Sequence, residues 1–203
     1  MYVKTHRMSR AESQARTRAL LLASGRRLFI KKGYNAATVD EISENAGFSR
    51  GAFYANFDDK ADLFLRVFDE ERARDFAELS GIVEETPDTE LLPRMGEWFM
   101  RILVNGPLQR AVAEFHLAVH SDPAHRRGLA ENARAVRDVS AGMIGRYRQS
   151  HGIELTVDDE TFATMVTATI GGFADELRLD PGAATLETIG LTLTALWNGV
   201  LRS

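Results

Sequence analysis

The chain has 203 residues, with 25 Lys and Arg against 29 Asp and Glu, a formal charge of −4 and no cysteine. That length holds one or two domains whose core needs neither metal nor disulfide. Without a thiol there is no disulfide framework and no thiolate chemistry, which points to a reducing, cytoplasmic setting. No apolar run approaches the roughly 18 residues of a membrane span, and the polar N-terminus lacks a signal peptide's apolar segment.

The charge is unevenly spread. Residues 1–66 carry 12 Lys and Arg against 7 Asp and Glu, a net of +5, which leaves −9 for the remainder. A basic third on an acidic body points to a polyanionic partner at one end. Residues 1–12 show no apolar period and read as a flexible basic arm, with Lys4, Arg7 and Arg10 available to phosphates or a minor groove. A first long helix is expected from about Ser13 to Lys32, with Leu21, Leu22, Gly25, Leu28 and Phe29 at helical spacing, closed by Gly33.

From Thr38 to Lys60 the sequence reads TVDEISENAGFSRGAFYANFDDK. Thr38 and Glu41 form a capping box, and Val39, Ile42 and Ala46 share the inner face of a two-turn helix. Gly47 supplies the left-handed turn. Ser49 caps a second short helix that turns Phe53 and Phe57 inward and leaves Arg50, Gly51, Tyr54 and Ala55 outside. Two short helices about a glycine turn make a helix-turn-helix, whose second helix suits a DNA major groove. The next helix, capped by Asp58 or Asp59, runs from about Lys60 to Glu84, since no proline occurs before Pro87. With no Gly/Ser linker after it, that helix would act as a lever rather than a tether.

Prolines punctuate the rest. Pro87, Pro93, Gly106-Pro107 and Asp122-Pro123 frame helices near 91–105, 107–120 and 123–150. Thr156 with Asp159 opens a helix to about Leu179, and a last helix runs from about Thr185 to Leu201. No period-2 run marks a strand. The fold class expected is all-α, in nine helices.

At Thr38, Ile42, Gly51, Tyr54, Phe57 and Lys60, with Leu28-Phe29 and Gly33-Tyr34 upstream, the chain resembles the TetR family of bacterial transcriptional regulators over roughly Leu20 to Phe64. The resemblance implies a three-helix DNA-binding domain over 13–59 and a six-helix ligand-binding and dimerisation domain over 60–203. It assigns phosphate contacts to Thr38, Ser49, Tyr54, Asn56 and Lys60; many members carry His where this chain has Asn56. Arg50 is the side chain suited to a bidentate contact with guanine. Gly51 and Ala52 allow close approach, and the methyl of Ala52 or Ala55 can meet a thymine methyl. The implied partners are an operator in double-stranded DNA, a second copy of the chain and a small, largely apolar effector.

Trp98, Phe99, Leu103, Phe115, Val119, Met143, Tyr147, Met165 and Phe173 are either core or the wall of an apolar effector cavity, with His116, His120, Asn105 and Thr169 as polar anchors. Phe162, Val166, Ile170, Leu186, Ile189, Leu193, Leu196 and Val200 form two stripes too apolar for the outside of a monomer. They are expected at the interface of a two-fold four-helix bundle. His116 and His120 have the i, i+4 spacing of a metal pair, with Glu114, Glu160 or Asp175 as possible third ligands. The run His-Leu-Ala-Val-His lacks the glutamate of a zinc protease, so no metal, no cofactor and no catalytic residue is expected. Nucleophile elbows and phosphate-binding glycine loops are missing too, and the chain reads as a non-enzyme.

Overall fold

A computed structural model describes residues 9–103, 106–119, 123–180 and 182–202. Nine α-helices occur among them: α1 (Arg10–Ala36), α2 (Val39–Ala46), α3 (Arg50–Tyr54), α4 (Lys60–Glu85), α5 (Asp88–Leu103), α6 (Gln109–Val119), α7 (Pro123–Ser150), α8 (Asp159–Leu179) and α9 (Leu186–Val200). The all-α expectation holds. The nearest thing to a strand among the described residues is one antiparallel bridge between Leu155 and Leu201.

Several boundaries differ from expectation for local reasons. Ser9 and Glu12 make a second capping box, so α1 begins at Arg10 and takes up residues expected in the arm. Lys4 and Arg7 lie outside the described residues. Gly33, at φ 82° and ψ 177°, breaks α1 where a stop was expected. Asp158, not Thr156, caps α8, its side chain accepting from the Thr161 amide at 2.6 Å. Thr156 is occupied elsewhere, donating its amide to the Val200 carbonyl at 2.8 Å.

Packing divides the chain into two units. The first comprises Met1–Glu70 with Arg110–Arg126, and the second Glu71–Gln109 with Arg127–Ser203. The expected division at residue 60 therefore falls inside the first unit. Its core holds Phe29, Ile42, Phe53, Leu63, Phe64 and Phe115, each at most 1% exposed. Phe64 packs edge-on to Phe29 at 5.1 Å between ring centroids and to Tyr34 at 5.2 Å, and its ring lies 4.5 Å from that of Phe115. The second unit has two apolar clusters. One gathers Trp98, Phe99, Met143, Ile170, Ile189 and Leu193, and the other Leu155, Phe162 and Val200.

Candidate functional site

The helix-turn-helix forms as its sequence dictates. Thr38 accepts from the Glu41 amide at 3.2 Å, and Glu41 returns a bond to the Thr38 amide. Gly47 takes φ 80°, its N–H donating to Glu44 and Ser43, and the Ser49 hydroxyl accepts from the Ala52 amide at 3.3 Å. α2 is fixed to α1 by Ser24, a fully buried hydroxyl that donates to the Ile42 carbonyl at 2.8 Å. Phe53 is fully buried beneath α3. Helical spacing then leaves Ser49, Arg50, Gly51, Tyr54 and Ala55 exposed, with Ala52 half-buried beside them.

Arg50 dominates that face electrostatically. Its guanidinium lies 3.4 Å from the Tyr54 hydroxyl and 3.3 Å from Asp40, and 5.6 Å from the Tyr54 ring centroid. The Tyr54 hydroxyl and then Asp40 raise its pKa further, so it is cationic at any working pH. Its side chain and that of Asp40 are 62% and 58% exposed. Such a pair is weak in water and readily exchanged for a stronger anionic partner.

Three residues expected to touch phosphates have other employment. The Thr38 hydroxyl donates to Glu41 at 3.2 Å, completing the cap. Asn56 turns its amide nitrogen back to the Ala52 carbonyl at 2.8 Å, and its side-chain oxygen is buried without a partner. Lys60 points inward: its ammonium lies 2.8 Å from the Tyr34 carbonyl, 3.0 Å from that of Ala37 and 3.5 Å from that of Asn35. It also sits 4.2 Å from the centroid of the Tyr34 ring. It thus caps the carbonyls that the break at Gly33 leaves open. Burial lowers the Lys60 pKa, and burial together with Asp59 pushes the Tyr34 phenol up to about 12.

The same region receives α6, which sequence reasoning missed. Glu114 accepts from the Asn35 amide at 2.8 Å, and from Arg110 at 2.8 Å through its other oxygen. These two donors, with the Tyr34 amide, hold its carboxyl below the usual range. A Cβ on Gly33 would stand 2.5 and 2.6 Å from the two Glu114 oxygens, so a larger residue would push that carboxylate aside, and the positive φ itself calls for glycine. Both oxygens of Glu114 are thus engaged within its own unit. In the same unit, His125 meets Asp59 at 3.0 Å. Phe115 and Val119, expected to wall a ligand cavity, are buried in the first unit, where the apolar stripe of α6 is spent. His116 is exposed; His120 and Asn105 lie outside the described residues, as does the side chain of Leu103. Among the described residues no group of three His, Cys, Asp or Glu is placed to hold a metal.

The remaining ligand candidates divide between two clusters. Trp98, Phe99 and Met143 are buried with Phe173 packed against them, whereas Met165 joins Phe162 and Val200. Tyr147 stands 6.0 Å from Trp197, and Thr169 is half-buried. Where Phe99, Met100, Ile170, Phe173 and Ile189 converge, the open space is about 10 Å³. That is at the threshold for a single water. Around that space Trp98, Phe99, Met143 and Phe173 pack as core.

The expected dimer stripes point the other way. Phe162, Ile170, Ile189, Leu193 and Val200 are 3–7% exposed and belong to the core of their own chain. Val166 and Leu196 pack half-buried against it, and of the eight only Leu186, 46% exposed, lies outside. The more apolar face of each helix satisfies its own unit first. Outside lies a smaller-featured face: Ala168, Gly171, Gly172 and Leu179 on α8, and Leu191, Ala195 and Gly199 on α9. Leu179 is 90% and Leu191 64% exposed. A Cβ added at Gly171, Gly172 or Gly199 would meet nothing within 4 Å.

Comparison with known proteins agrees with this construction. Residues 21–67 match the family model described as bacterial regulatory proteins, tetR family. A transcriptional repressor of the helix-turn-helix type, AcnR of Corynebacterium diphtheriae, is 28% identical over 83% of this chain and 85% of its own length. A second such repressor, Rv1474c of Mycobacterium tuberculosis, is 26% identical over 93% and 95%. The crystal structure of a TetR transcription regulator from Haloarcula marismortui superposes with a TM-score of 0.69 at 20% identity, covering 93% of this chain and all of that one. No helix among the described residues is long and apolar enough to cross a membrane.

Proposed function

Because the chain belongs to the TetR family of bacterial regulatory proteins, we propose that it is a transcriptional repressor. In this reading it binds a palindromic operator as a two-fold dimer and is released by a small, largely apolar effector. The observation that carries the proposal is the outer face of α3, where Arg50 stands exposed and charged beside Ser49, Gly51, Tyr54 and Ala55. Arg50 is the base-reading residue, worth about 1–3 kcal/mol of discrimination at one guanine. Ser49 and Tyr54 hold the phosphates on either side, and phosphate contacts fix register without reading sequence. Thr38 acts through its cap, and Lys60 and Asn56 by shaping the unit that presents α3. Repression rather than activation is supported by the two relatives, both named repressors.

The dimer forms through the outer faces of α8 and α9. A helical glycine costs about 1 kcal/mol relative to alanine. Gly171, Gly172 and Gly199 recover nothing from packing in their own chain, so the gain lies in close approach of a partner helix. Two α3 helices on a two-fold axis then address half-sites about one helical turn, or a multiple, apart.

Release needs a conformation in which the second unit opens. The effector must bind that conformation better than the closed one, with a coupling of about 1–3 kcal/mol. The closed core described above also supports a second reading, a repressor without an effector. The test is to recover duplexes retained by the purified chain and compare wild type with Arg50→Ala and Tyr54→Ala. A folded double variant with unchanged affinity would remove the reading face. Operator binding that no apolar compound weakens would favour the second reading.

A further inference from the structure

Among the described residues of the second unit, the Trp98 indole is a polar group with no role assigned so far. Trp98 is 6% exposed and its indole Nε1–H is buried with no acceptor. Its neighbours in the cluster are hydrocarbon or thioether: Leu79, Phe99, Met143, Ile170 and Leu193. A buried donor without a partner is a standing loss that phenylalanine at the same place would not incur. The void of about 10 Å³ in the same cluster is lined by Phe99, Met100, Ile170 and Phe173 rather than by Trp98 itself; the Phe99 ring stands between, its centroid 5.0 Å from that of Trp98. Met95 and Met100 pack half-buried against the cluster, and unbranched thioethers are the side chains that repack with least cost. An orphan donor, a small void and adaptable side chains therefore belong to one cluster, with only Phe99 between the donor and the void.

We propose that Trp98 is the polar anchor of the effector: a flat, ring-sized, otherwise apolar molecule with one hydrogen-bond acceptor enters this core, and the Trp98 Nε1–H donates to that acceptor. The inference rests on the reading of the chain as an effector-released repressor, and it narrows the effector's chemistry. Aromatic walls from Phe99 and Phe173 favour a flat ring. A single donor selects a carbonyl, ether or aza nitrogen over a hydrocarbon of equal shape, since only the acceptor removes the loss.

The test uses the whole chain and two probes of nearly equal shape, quinoline with an aza nitrogen and naphthalene without one. The protein has two tryptophans, so a ¹⁵N-labelled sample gives two indole N–H signals. Trp98→Phe assigns them, or Trp197→Phe should the first variant not fold. The Trp98 signal is expected to shift downfield with quinoline and to lack that shift with naphthalene. Quinoline should bind Trp98→Phe about tenfold more weakly than wild type, the equivalent of one neutral hydrogen bond, while naphthalene binds both alike. Failure of quinoline to bind the wild type, an unmoved Trp98 signal on binding, or equal affinity for the variant each overturns the proposal. The operator is assayed separately. Loss of all DNA binding by the wild type would refute the repressor reading while leaving the indole titration to judge the anchor.

Discussion

Replacing Gly33 by alanine tests how firmly the α6 segment is built into the DNA-binding unit. Gly33 has φ 82° and ψ 177°, a conformation that costs an L-residue about 1–3 kcal/mol. The new methyl would also stand 2.5 Å from a Glu114 oxygen, forcing the carboxylate away from the Asn35 amide, which donates to it at 2.8 Å. Loss of that hydrogen bond adds about 1 kcal/mol. Gly33→Ala should therefore destabilise by about 2–4 kcal/mol in all, read from urea unfolding. Glu114→Ala should cost about 1 kcal/mol alone and clear the obstacle. The double variant should then fall short of the sum of the single costs by about 1 kcal/mol. Gly47→Ala is the control. Its φ is 80° but nothing lies within 4 Å of its missing Cβ, so it should cost roughly 1–2 kcal/mol and add independently to Glu114→Ala. A cost below about 1 kcal/mol for Gly33→Ala, or strict additivity with Glu114→Ala, would refute the packing argument.

Other perturbations separate the structural residues from the reading face. Lys60→Ala should lower the urea midpoint by uncovering the Tyr34 and Ala37 carbonyls, yet leave the salt dependence of DNA binding unchanged; a slope smaller by about one would restore a phosphate role. The Asn35 amide, then Arg110, depress the Glu114 pKa below 4.5. Its ionised form therefore contributes stability that is complete above about pH 4.5 and lost as pH falls through the lower, folded-state value. The stability gap between wild type and Glu114→Gln should narrow on acidification below that point, and a constant gap would contradict the assignment. Leu191→Glu, at a side chain 64% exposed in the single chain, should leave the fold intact and weaken self-association by roughly a hundredfold or more in sedimentation, because a two-fold axis brings the new charges together.

How far the sequence foretold this molecule depends on the range over which each feature is decided. The Thr38–Glu41 box, the Gly47 turn and the Ser49 cap are settled within four residues, and each formed as read. Helix count and class followed from proline placement and apolar period for the same reason. The packing of Lys60 was not legible locally, because its ammonium meets a set of carbonyls 23 to 26 residues away. The tie between Glu114 and Asn35 spans 79 residues, with no local mark beyond an acid on a helix face. On α8 and α9 both faces carry apolar or small residues, and the choice between them is made by total burial. The larger side chains went inward and left the glycines outside.

The central claim is that the outer face of α3 reads DNA through Arg50. The most direct measurement takes a duplex recovered by the full chain and varies each base pair of the half-site, comparing wild type with Arg50→Ala at one stated salt concentration. The account predicts a palindromic site at which the wild type prefers one G·C pair by about 1–3 kcal/mol, with that preference abolished in the folded variant while the other positions keep theirs. An Arg50→Ala protein that retained the full preference at every position, or a wild type that enriched no two-fold sequence, would contradict it.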